Sequence, residues 1–347
     1  MTDDFNILFV CAGRRVALIR LFRRALETLG LRGKLLTADL QGAASAHFAG
    51  DGPEYIPRIS DPHFIDRLKE ICRRRQVRLV VPLIDTVLGT LADHRDEFQA
   101  FGTTLLVSSP EVAGLCLDKR VTYEFFRRKG IPTPAILDPQ AILADPRADY
   151  PFLLKPATGS SSQGVTRIEN ARQLEFFLDY IKNPIVQELI TGQEYTLDIL
   201  ADAQGKVRCV VPRLRIETRA GEISKGLTVK NETLIDAGRR VVEALPGAVG
   251  CITVQGFLTP SGEIKFIEIN PRFGGGFPLS AEAGADFPRW IIEMELGRDP
   301  AIALDAWRDG VVMLRYDDAI YTNPECLCDD FWSSTSTTPS TPSDRSS

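Results

Sequence analysis

The sequence contains little of what several classes of protein require. Only three of its 347 residues are histidine, and its seven cysteines are scattered along the chain apart from Cys326 and Cys328. A zinc site needs four ligands at defined spacing, so we expect no zinc site and cysteines that stay reduced. The formal net charge of −5 provides no global basic field, so we expect no binding to nucleic acid or anionic lipid.

Long apolar runs are missing as well. No segment is long and apolar enough to span a bilayer, and the acidic start MTDD leads directly into a strand-like run instead of a signal sequence. We therefore expect a cytoplasmic protein that does not contact membranes. What the chain does contain, 44% hydrophobic and 25% charged residues, is typical of globular proteins, and its length suits two or three modules.

Apolar strand-like runs alternate with helical patterns in the first third of the chain. The strand-like segments are 6–12, 34–40, 77–85 and 103–109, and helical patterns occupy 14–30 and 61–76. Continuous apolar strands separated by helices indicate a parallel sheet that is buried on both faces. We therefore predict a Rossmann-like parallel-sheet domain over residues 1–112.

After a helix at 118–130, the pattern changes to strands separated by hairpin-like turns. The strand segments are PFLLKPA, PIVQELI, EYTLDILA, KVRCVVPRLRIE, ITVQGFLT, EIKFIEIN and VVMLRY, with turns at 202–205 and 260–262 and helices at 170–182, 231–245 and 280–309. These connections favour antiparallel pairing. The segment 333–347 is rich in Ser, Thr and Pro and has no apolar residue, which predicts a disordered tail.

The most informative motif is EIKFIEINPR, residues 263–272. Alternate residues of a strand share a face, so we expect Glu268 and Asn270 to project together while Ile267 points into a core. With Gln255 on the preceding strand, they form a set of oxygen ligands that suits Mg2+. A polar strand end that faces water is the alternative.

Lys155 and the loop after it form a second motif. Lys155 follows apolar residues on a strand expected to be buried, where an unpaired ammonium group is costly and a bound anion would offset that cost. The following residues, ATGSSSQG at 157–164, are small, so their backbone N–H groups can approach phosphate oxygens. The pattern predicts phosphate binding, with a flexible surface hairpin as the alternative.

A third motif is VQELITGQEYTLDIL, residues 186–200, in which Glu194 lies just past a Thr-Gly turn. A connecting segment of this kind can offer backbone groups to an adenine edge and a carboxylate to ribose hydroxyls. A plain hairpin that carries one charge gives the same pattern.

In this order and spacing, the three motifs resemble the ATP-grasp superfamily, in which a nucleotide lies between two α+β subdomains under a Gly-rich loop. The E-I-N-P-R ending is most similar to the carbamoyl-phosphate synthase large subunit. CAGRRVALIR and VVPLIDT are similar to the domain that precedes the grasp in that enzyme and in the pyrrolysine-pathway ligase. The resemblance covers roughly residues 5–320.

The resemblance implies a chain of the α/β and α+β classes, in which the parallel-sheet domain is followed by a two-subdomain ATP-grasp fold. The first subdomain, with the Gly-rich loop, would span 113–190, and the second, with the metal site, 191–325.

The resemblance also implies roles for individual residues. It assigns ATP contacts to Lys119, Lys155, Gly159, Ser160, Ser161, Ser162, Gly164, Gln187, Glu188, Leu189, Ile190 and Glu194. The lysines and the loop would bind phosphates, residues 187–190 adenine, and Glu194 ribose. Gln255, Glu268 and Asn270 would hold one or two Mg2+ ions, with Mn2+ as an alternative. Arg272 would steady the transferred phosphoryl group.

Substrate recognition depends on other charged residues. Arg213 and Arg215 alternate with apolar residues, so both guanidinium groups can hold a carboxylate or phosphate. A solvent-facing strand with charge pairs, which would include Glu217, is the alternative. Residues 13–15, Gly-Arg-Arg, lie where a strand meets a helix N-terminus, which makes them a candidate anion site. Asp85 ends another strand on the same side. We expect it either to bind a second substrate or to cap a helix.

Phosphoryl transfer needs positioning and charge neutralisation more than covalent help, which suits a chain with no histidine near these motifs. We therefore interpret the chain as an ATP-dependent ligase that activates an amino acid or other small carboxylate as an acyl phosphate and joins it to an amine. Arg272, Lys155, Arg213 and Arg215 are the expected catalytic residues. One alternative is carbamoyl-phosphate-synthase-like phosphorylation of bicarbonate or carbamate, and another is a nucleotide-binding regulatory module without turnover. The expected partners are the small-molecule substrates and a second copy of the chain, since superfamily members often dimerise.

Overall fold

The computed structural model describes residues 4–40, 42–159 and 163–323, and its first part is a five-stranded parallel sheet. The elements of this part are β1 (Asn6–Val10), α1 (Val16–Thr28), β2 (Leu35–Asp39), a 3-10 helix (Ser45–Phe48), β3 (Gly52–Tyr55), α2 (Phe64–Arg74), β4 (Val77–Pro82), α3 (Asp85–Asp93), α4 (Arg95–Gln99), β5 (Thr104–Leu105) and α5 (Pro110–Leu117). The strand order is β3-β2-β1-β4-β5, and every pair is parallel.

Helices cover both faces of this sheet, which explains its continuous apolar strands. All five residues of β1 are buried, and the apolar side of α1, which includes Leu18 and Phe22, packs against one face. The helix α2 buries Phe64 and Leu68 against the other face. The predicted Rossmann-like parallel sheet is therefore confirmed.

A second, smaller sheet follows in the middle of the chain. Its elements are α6 (Lys119–Arg128), β6 (Ile136–Leu137), α7 (Pro139–Ala144), β7 (Phe152–Pro156), β8 (Thr166–Ile168), α8 (Ala171–Tyr180) and β9 (Pro184–Glu188). The four strands are antiparallel in the order β6-β9-β7-β8. This sheet, α7 and α8 have a separate core, formed by Ile142, Leu154, Ile168, Leu174, Ile181 and Val186, whereas Phe125 and Phe126 of α6 pack into the larger core of the neighbouring sheets.

The third sheet has six antiparallel strands in the order β14-β13-β10-β11-β12-β15. The elements are β10 (Gln193–Ala201), β11 (Val207–Arg219), β12 (Glu222–Thr228), α9 (Glu232–Glu243), β13 (Gly250–Leu258), β14 (Ile264–Asn270), α10 (Phe277–Glu282), α11 (Phe287–Glu295) and β15 (Val312–Leu314). The antiparallel sheets agree with the predicted ATP-grasp fold.

The six-stranded sheet shares one hydrophobic core with the parallel-sheet part. Phe22 of α1 packs edge-to-face against Phe9 and Phe273, with ring centroids 5.1 Å and 5.8 Å apart. Buried side chains of both parts belong to the same cluster. The parallel sheet and the six-stranded sheet thus form one unit with a common core, and the four-stranded sheet has a core of its own. The candidate site lies between them.

Several elements differ from the sequence-based expectations. Only Thr104 and Leu105 of the segment 103–109 form a strand. The helix expected over 280–309 is divided after Glu282, where Gly284 has a φ of 112°, and does not continue beyond Gly297, whose φ is 73°. Such positive φ angles are incompatible with a right-handed helix.

The sequence-based expectations missed four strands, β3, β6, β8 and β12. The segment from 207 onwards turns at Ala220 and Gly221, both with positive φ, and β12 returns along β11. The predicted tail at 333–347 lies outside the described residues, as do Cys326 and Cys328. In the part of the chain that is described, no helix combines the length and apolar character needed to cross a membrane.

Candidate active site

One face of the six-stranded sheet carries a row of polar side chains across four strands. Arg213 lies opposite Thr196, Thr196 opposite Gln255, and Gln255 opposite Glu268. Directly paired residues on one face of an antiparallel sheet have Cβ atoms about 4.5–5.5 Å apart. The register therefore brings Gln255 and Glu268 together, although 13 positions separate them in the sequence.

A neighbouring row on the same face contains Asp198, Thr253 and Asn270. The Asn270 Oδ1 atom accepts a hydrogen bond of 3.2 Å from Arg272 Nη2, and the same nitrogen donates to Asp85 Oδ2 at 2.8 Å. Asp85 is the first residue of α3 and provides no side-chain cap to it. The capping alternative for Asp85 is therefore wrong, because its carboxylate reaches across to the six-stranded sheet.

A β-bulge changes which residues of β14 face the site. Gln255 pairs with Glu268 but Gly256 pairs with Phe266, so Ile267 is an extra residue without a partner across the ladder. As a result, Ile267 and Glu268 line the same cavity, and Phe266 is buried in the core. The expectation that Ile267 points into the core was wrong because strict alternation does not hold at a bulge.

The Gln255 and Glu268 side chains are free to bind a ligand. In the described part of the chain, neither forms a hydrogen bond or an ion pair. Asn270 lies two residues beyond Glu268 on the same strand and is 4% exposed. One carboxylate and two amide groups provide oxygen donors of the type that Mg2+ prefers.

Lys155 is a buried ammonium group that has no partner among the described residues. Its side chain lies on β7, and the residue is 6% exposed. Burial lowers the pKa of Lys155 to about 8, against an opposing contribution from the Glu268 carboxylate, and the Lys119 ammonium lowers it further. The energetic cost that the sequence predicted for this lysine is thus present in the structure.

The start of α6 fixes Lys119 beside the loop that follows Lys155. The Lys119 backbone N–H donates to Ala157 O, and Lys119 Nζ donates to Gly159 O, both at 2.9 Å. Asp118 caps α6 by accepting a hydrogen bond from the Arg120 backbone. These contacts hold Lys119 at the entrance to the loop, near the Lys155 ammonium group.

A cavity of about 270 Å³ lies between the four-stranded and six-stranded sheets, and we call it the hinge cavity. Its lining includes Lys119, Leu153, Lys155, Gly159, Gln187, Glu188, Leu189, Ile190, Glu194, Arg215, Gln255, Phe257, Ile267 and Glu268. The lining combines apolar side chains with charged groups. Such a lining suits a ligand that has both a flat ring and anionic groups.

The segment after β9 presents free backbone groups to the hinge cavity. The Gln187 side chain donates to Pro134 O at 3.2 Å, and Glu188 Oε1 accepts from Lys265 Nζ at 2.8 Å, so both side chains are engaged. Leu189 and Ile190 follow the end of the strand. Their backbone N–H groups have no partner among the described residues, which leaves them available to the edge of a ring.

Glu194, which also lines the hinge cavity, is paired with Arg215. Arg215 Nε lies 3.0 Å from Glu194 Oε1, and Arg215 Nη2 donates to Gly221 O at 2.9 Å. Burial raises the pKa of Glu194, while the Arg215 guanidinium opposes that effect.

A second cavity, of about 360 Å³, has a strongly charged lining, and we call it the arginine cavity. Its lining includes Arg15, Asp85, Thr86, Lys119, Gly159, Thr196, Arg213, Arg215, Glu222, Thr253, Gln255, Glu268, Asn270, Arg272 and Gly274–Gly276. The parallel-sheet part contributes Arg15 and Asp85, and the six-stranded sheet contributes most of the rest. Its five basic and three acidic residues favour an anionic or zwitterionic ligand.

Arg213 is almost completely buried and is oriented by a carboxylate. Its Nε and Nη2 atoms donate to Asp198 at 2.7 Å and 3.0 Å, and Ser280 Oγ donates to the same carboxylate at 2.6 Å. Arg213 Nη1 is buried without a hydrogen-bond partner in the described chain, and the residue lines the arginine cavity. Arg213 therefore keeps one donor for a ligand while the rest of the guanidinium is fixed.

The two cavities share five lining residues: Lys119, Gly159, Arg215, Gln255 and Glu268. A ligand in one cavity and a ligand in the other would therefore meet at the expected metal and phosphate residues. Most of the site residues expected from the sequence line one cavity or both.

A few expected residues fall elsewhere. Ser160, Ser161 and Ser162 lie outside the described residues, and Gly164 packs near Pro156 without lining either cavity. Glu217 is exposed and pairs with Lys225, because a register shift after Arg215 ends the simple alternation.

Several residues of the site were not expected from the sequence, among them Asp198, Thr253 and Ile267. Asp198 and Thr253 look like ordinary polar residues in strands, and only the strand pairing brings them to the site. Ile267 was hidden by the bulge. The alternation of buried and polar residues in EYTLDILA is the one signal that favoured an inward role for Asp198.

Two family models match the chain. Residues 7–106 match the PylC-like, N-terminal domain, and residues 116–276 match the ATP-grasp domain. The first match coincides with the parallel sheet, and the second includes the whole row of Arg213, Thr196, Gln255 and Glu268.

Curated relatives align with parts of the chain. A D-alanine–D-alanine ligase of Marinomonas sp. (strain MWYL1) is 33% identical over 112 residues, which are 30% of this chain and 35% of that protein. The vancomycin/teicoplanin A-type resistance protein VanA of Enterococcus faecium is 25% identical over 224 residues, 56% of this chain and 65% of that protein. A carbamoyl-phosphate synthase of Methanobrevibacter smithii is 25% identical over 144 residues, 40% of this chain and 39% of that protein. The chain spans less than two thirds of each of these relatives.

Solved structures resemble almost the whole chain. The biotin carboxylase domain of the Hydrogenobacter thermophilus 2-oxoglutarate carboxylase, in complex with MgADP, ADP and bicarbonate, has a TM-score of 0.68 at 19% identity, covering 88% of this chain and 73% of that one. An L-amino acid ligase from Bacillus licheniformis has a TM-score of 0.62 at 19% identity, covering 85% and 75%. At these identities the likeness concerns the fold. Taken from the two family models, the chain carries a PylC-like N-terminal domain followed by an ATP-grasp domain.

Proposed function

We propose that this chain is a Mg-ATP-dependent ligase that activates a small carboxylate, such as an amino acid, as an acyl phosphate and joins it to an amine. ADP and phosphate would be released. ATP would occupy the hinge cavity, and the acid would occupy the arginine cavity.

The observation that carries this proposal is the shared border of the two cavities. Lys119, Gln255 and Glu268 line both cavities, so the γ-phosphate of a nucleotide and the carboxylate of an acid would approach each other there. Proximity of this kind supplies a large part of the acceleration in phosphoryl transfer.

The hinge cavity fits a nucleotide on two independent grounds. The buried Lys155 ammonium lacks a partner in the described chain, and a phosphate would supply one. At the other end, Leu189 and Ile190 offer free backbone N–H groups, and Ile267 and Phe257 offer apolar contact to a ring. Glu194, in the same cavity, has carboxylate oxygens that can accept hydrogen bonds from ribose hydroxyls.

The donor set of Gln255, Glu268 and Asn270 fits magnesium, because it consists of a carboxylate and amide oxygens without histidine or thiolate. When bound, Mg2+ would neutralise charge on the phosphate oxygens. Arg272 is positioned by Asp85 and Asn270, so its guanidinium is held in place to stabilise negative charge near the border. Arg213, fixed by Asp198, presents its free Nη1 atom to the acid.

The similarity to D-alanine–D-alanine ligases and to an L-amino acid ligase supports a carboxylate and an amine as substrates. The similarity to a carbamoyl-phosphate synthase and to a bicarbonate-bound carboxylase domain makes bicarbonate the main competing acid. Partial coverage of the relatives leaves the substrate pair as a proposal for experiment.

The test is ADP release from Mg-ATP in the presence of pooled amino acids, small carboxylates and amines, with bicarbonate in a separate arm. We expect ADP formation that depends on one acid and one amine pool. Glu268→Gln should lower the rate by about 10²–10³-fold, the effect of losing a group that stabilises transition-state charge. Glu263→Gln is the matched control, because Glu263 is exposed in the turn before β14 and should leave the rate unchanged.

Other outcomes would favour a different function or contradict the proposal. ADP formation with bicarbonate alone would favour the carbamoyl-phosphate-synthase-like reaction. Tight ADP binding without turnover in any pool would favour a regulatory module. Failure to bind ADP would contradict the assignment of the hinge cavity.

A further inference from the structure

A third cavity lies beside the arginine cavity, at the carboxyl ends of β1 and β4, and we call it the crevice cavity. Its volume is about 310 Å³, and it is lined by the segment from Cys11 to Arg15, by Leu83 and Ile84 after β4, and by Glu222 and Arg315 of the six-stranded sheet. β1 lies between β2 and β4 in the sheet, so the chain leaves β1 towards one side and reaches β4 on the other. Such a switch point is where open parallel sheets bind ligands.

The cavity has an excess of positive charge. Arg14, Arg15 and Arg315 line it, against Glu222 as its one acidic residue among those described. Glu222 forms ion pairs on both sides, with Arg15 Nη1 at 3.1 Å from one carboxylate oxygen and Arg315 Nη1 donating to the other at 3.1 Å. The Arg14 guanidinium is exposed and forms no hydrogen bond or ion pair with a described residue. Three arginines against one carboxylate leave the cavity with an excess of two positive charges, and Arg14 is the arginine that no described carboxylate pairs with.

Backbone groups add to this positive character. The turn before α1 holds Cys11 and Gly13 at positive φ, and Gly13 N–H donates to Asp39 Oδ2 at 2.8 Å. The 13-residue helix α1 that follows has no side-chain cap and no acidic residue in its first turn. The N–H groups of its first turn therefore have no side-chain acceptor among the described residues, and Ala17 and Leu18 of that turn line the crevice cavity, where an anion would accept from them.

The crevice cavity is continuous with the arginine cavity. Arg15, Leu83, Ile84, Glu222, Gly274 and Gly275 line both, so the Arg15–Glu222 pair stands at the boundary. Gly275 lets the pair lie there, since a Cβ atom at that position would be 2.3 Å from Arg15 Nη1 and 2.4 Å from Glu222 Oε2. Beyond the pair, the arginine cavity contains the buried Arg213 Nη1 and Asp85 Oδ1 atoms, which have no partner in the described chain.

We propose that one of the two ligase substrates carries an acidic group remote from its reacting group, and that the crevice cavity binds this acidic group. The reacting group would lie in the arginine cavity, and the acidic group would lie between Arg14, Arg315 and the start of α1. The inference rests on the proposed ligase function for the identity of the reacting group. The binding of a small anion at Arg14 can be measured without turnover.

The first experiment measures anion binding by isothermal titration calorimetry, with glutarate, succinate and inorganic phosphate as probes. Wild type should bind at least one probe, and Arg14→Gln should weaken that binding at least tenfold. Arg20→Gln is the matched control, because Arg20 is exposed on α1 and lines no part of the cavity. Preference for the dicarboxylates would identify a carboxylate as the acidic group, and preference for phosphate a phosphorylated substrate. Equal binding by wild type and Arg14→Gln, or no binding of any probe, would overturn the proposal.

The second experiment uses turnover. Among acids and amines that support ADP release, those with a second acidic group should be used best. Arg14→Gln should raise the KM for that substrate at least tenfold, with kcat within twofold and the KM for ATP unchanged. Best activity with substrates that lack a second acidic group would contradict the proposal. Failure of the ligase proposal is distinguishable from failure of this one. In that case wild type would show no turnover with any substrate pair, while probe binding that depends on Arg14 would still be measured.

Discussion

Arg272 and Asp85 connect the two parts of the chain that form the arginine cavity. Arg272 follows β14 of the six-stranded sheet, Asp85 begins α3 beside the parallel sheet, and Arg272 Nη2 donates to Asp85 Oδ2 at 2.8 Å. The same nitrogen donates to Asn270 Oδ1. The guanidinium is therefore held between the expected metal ligands and the N-terminal part of the chain, and Arg272 Nε is buried without a partner among the described residues.

Asp85→Asn is expected to lower kcat/KM for the acid substrate by about 10–100-fold. The substitution removes the charge that orients Arg272, and a hydrogen bond to a charged group contributes about 1.5–3 kcal/mol. ADP binding should change little, because Asp85 does not line the hinge cavity. The kinetics of ADP release measure kcat/KM for the acid substrate. The control is Asp93→Asn, at the exposed end of the same helix. Equal effects of the two substitutions would contradict the positioning role of Asp85.

Lys155→Met is expected to stabilise the free protein at pH 7 and to weaken ADP binding. The pKa of Lys155 is about 8 in the folded chain and 10.5 ordinarily, so the folded state holds this proton less tightly than the unfolded state. The difference corresponds to about 3 kcal/mol of lost stability below pH 8. Between pH 8 and 10.5 the cost disappears, so stability should rise with pH in wild type relative to the variant.

Urea unfolding at pH 7 and pH 10 measures this difference, with the exposed Lys182→Met as control. The advantage of Lys155→Met should be largest at pH 7 and smaller at pH 10, and its affinity for ADP should fall about 10–100-fold. A variant that is less stable than wild type at both pH values would show that Lys155 has a partner in the free protein.

The sequence was sufficient to predict the class of each sheet and the main motifs. Continuous apolar strands indicated the parallel sheet, and the E-x-N spacing placed Glu268 and Asn270 on one face. Both signals are local, since they depend on the period of side chains along one strand. The pairing of Gln255 with Glu268 followed from a short turn that fixes the register between adjacent strands.

Other features depend on contacts between distant segments and left no local signal. Asp85 resembles a helix cap in the sequence, and only the packing of α3 against the other sheet brings it to Arg272. Asp198 is buried because Arg213, from the next strand, supplies its charge partner. The bulge at Ile267 adds one residue to a strand whose composition does not reveal it.

Ile267→Ala is expected to weaken ADP binding by about 5–30-fold. The bulge turns this side chain into the hinge cavity, and loss of its apolar contact with a ring corresponds to about 1–2 kcal/mol. Binding of inorganic triphosphate, which has no ring, should be unchanged. Calorimetric titration measures both ligands. Ile216→Ala is the control, because Ile216 is 54% exposed and lines neither cavity. A similar loss of affinity for ADP and triphosphate would place the ring elsewhere.

The central claim is that a carboxylate is activated as an acyl phosphate at the border between the two cavities. Once the acid substrate is identified, the most direct measurement uses that acid with both carboxylate oxygens labelled with 18O, in the presence of Mg-ATP and the amine. Mass spectrometry then measures how many 18O atoms the released phosphate contains. The account predicts one 18O atom per phosphate, because the activated oxygen leaves with the phosphoryl group when the amine attacks. Unlabelled phosphate, or release of AMP and pyrophosphate, would contradict it.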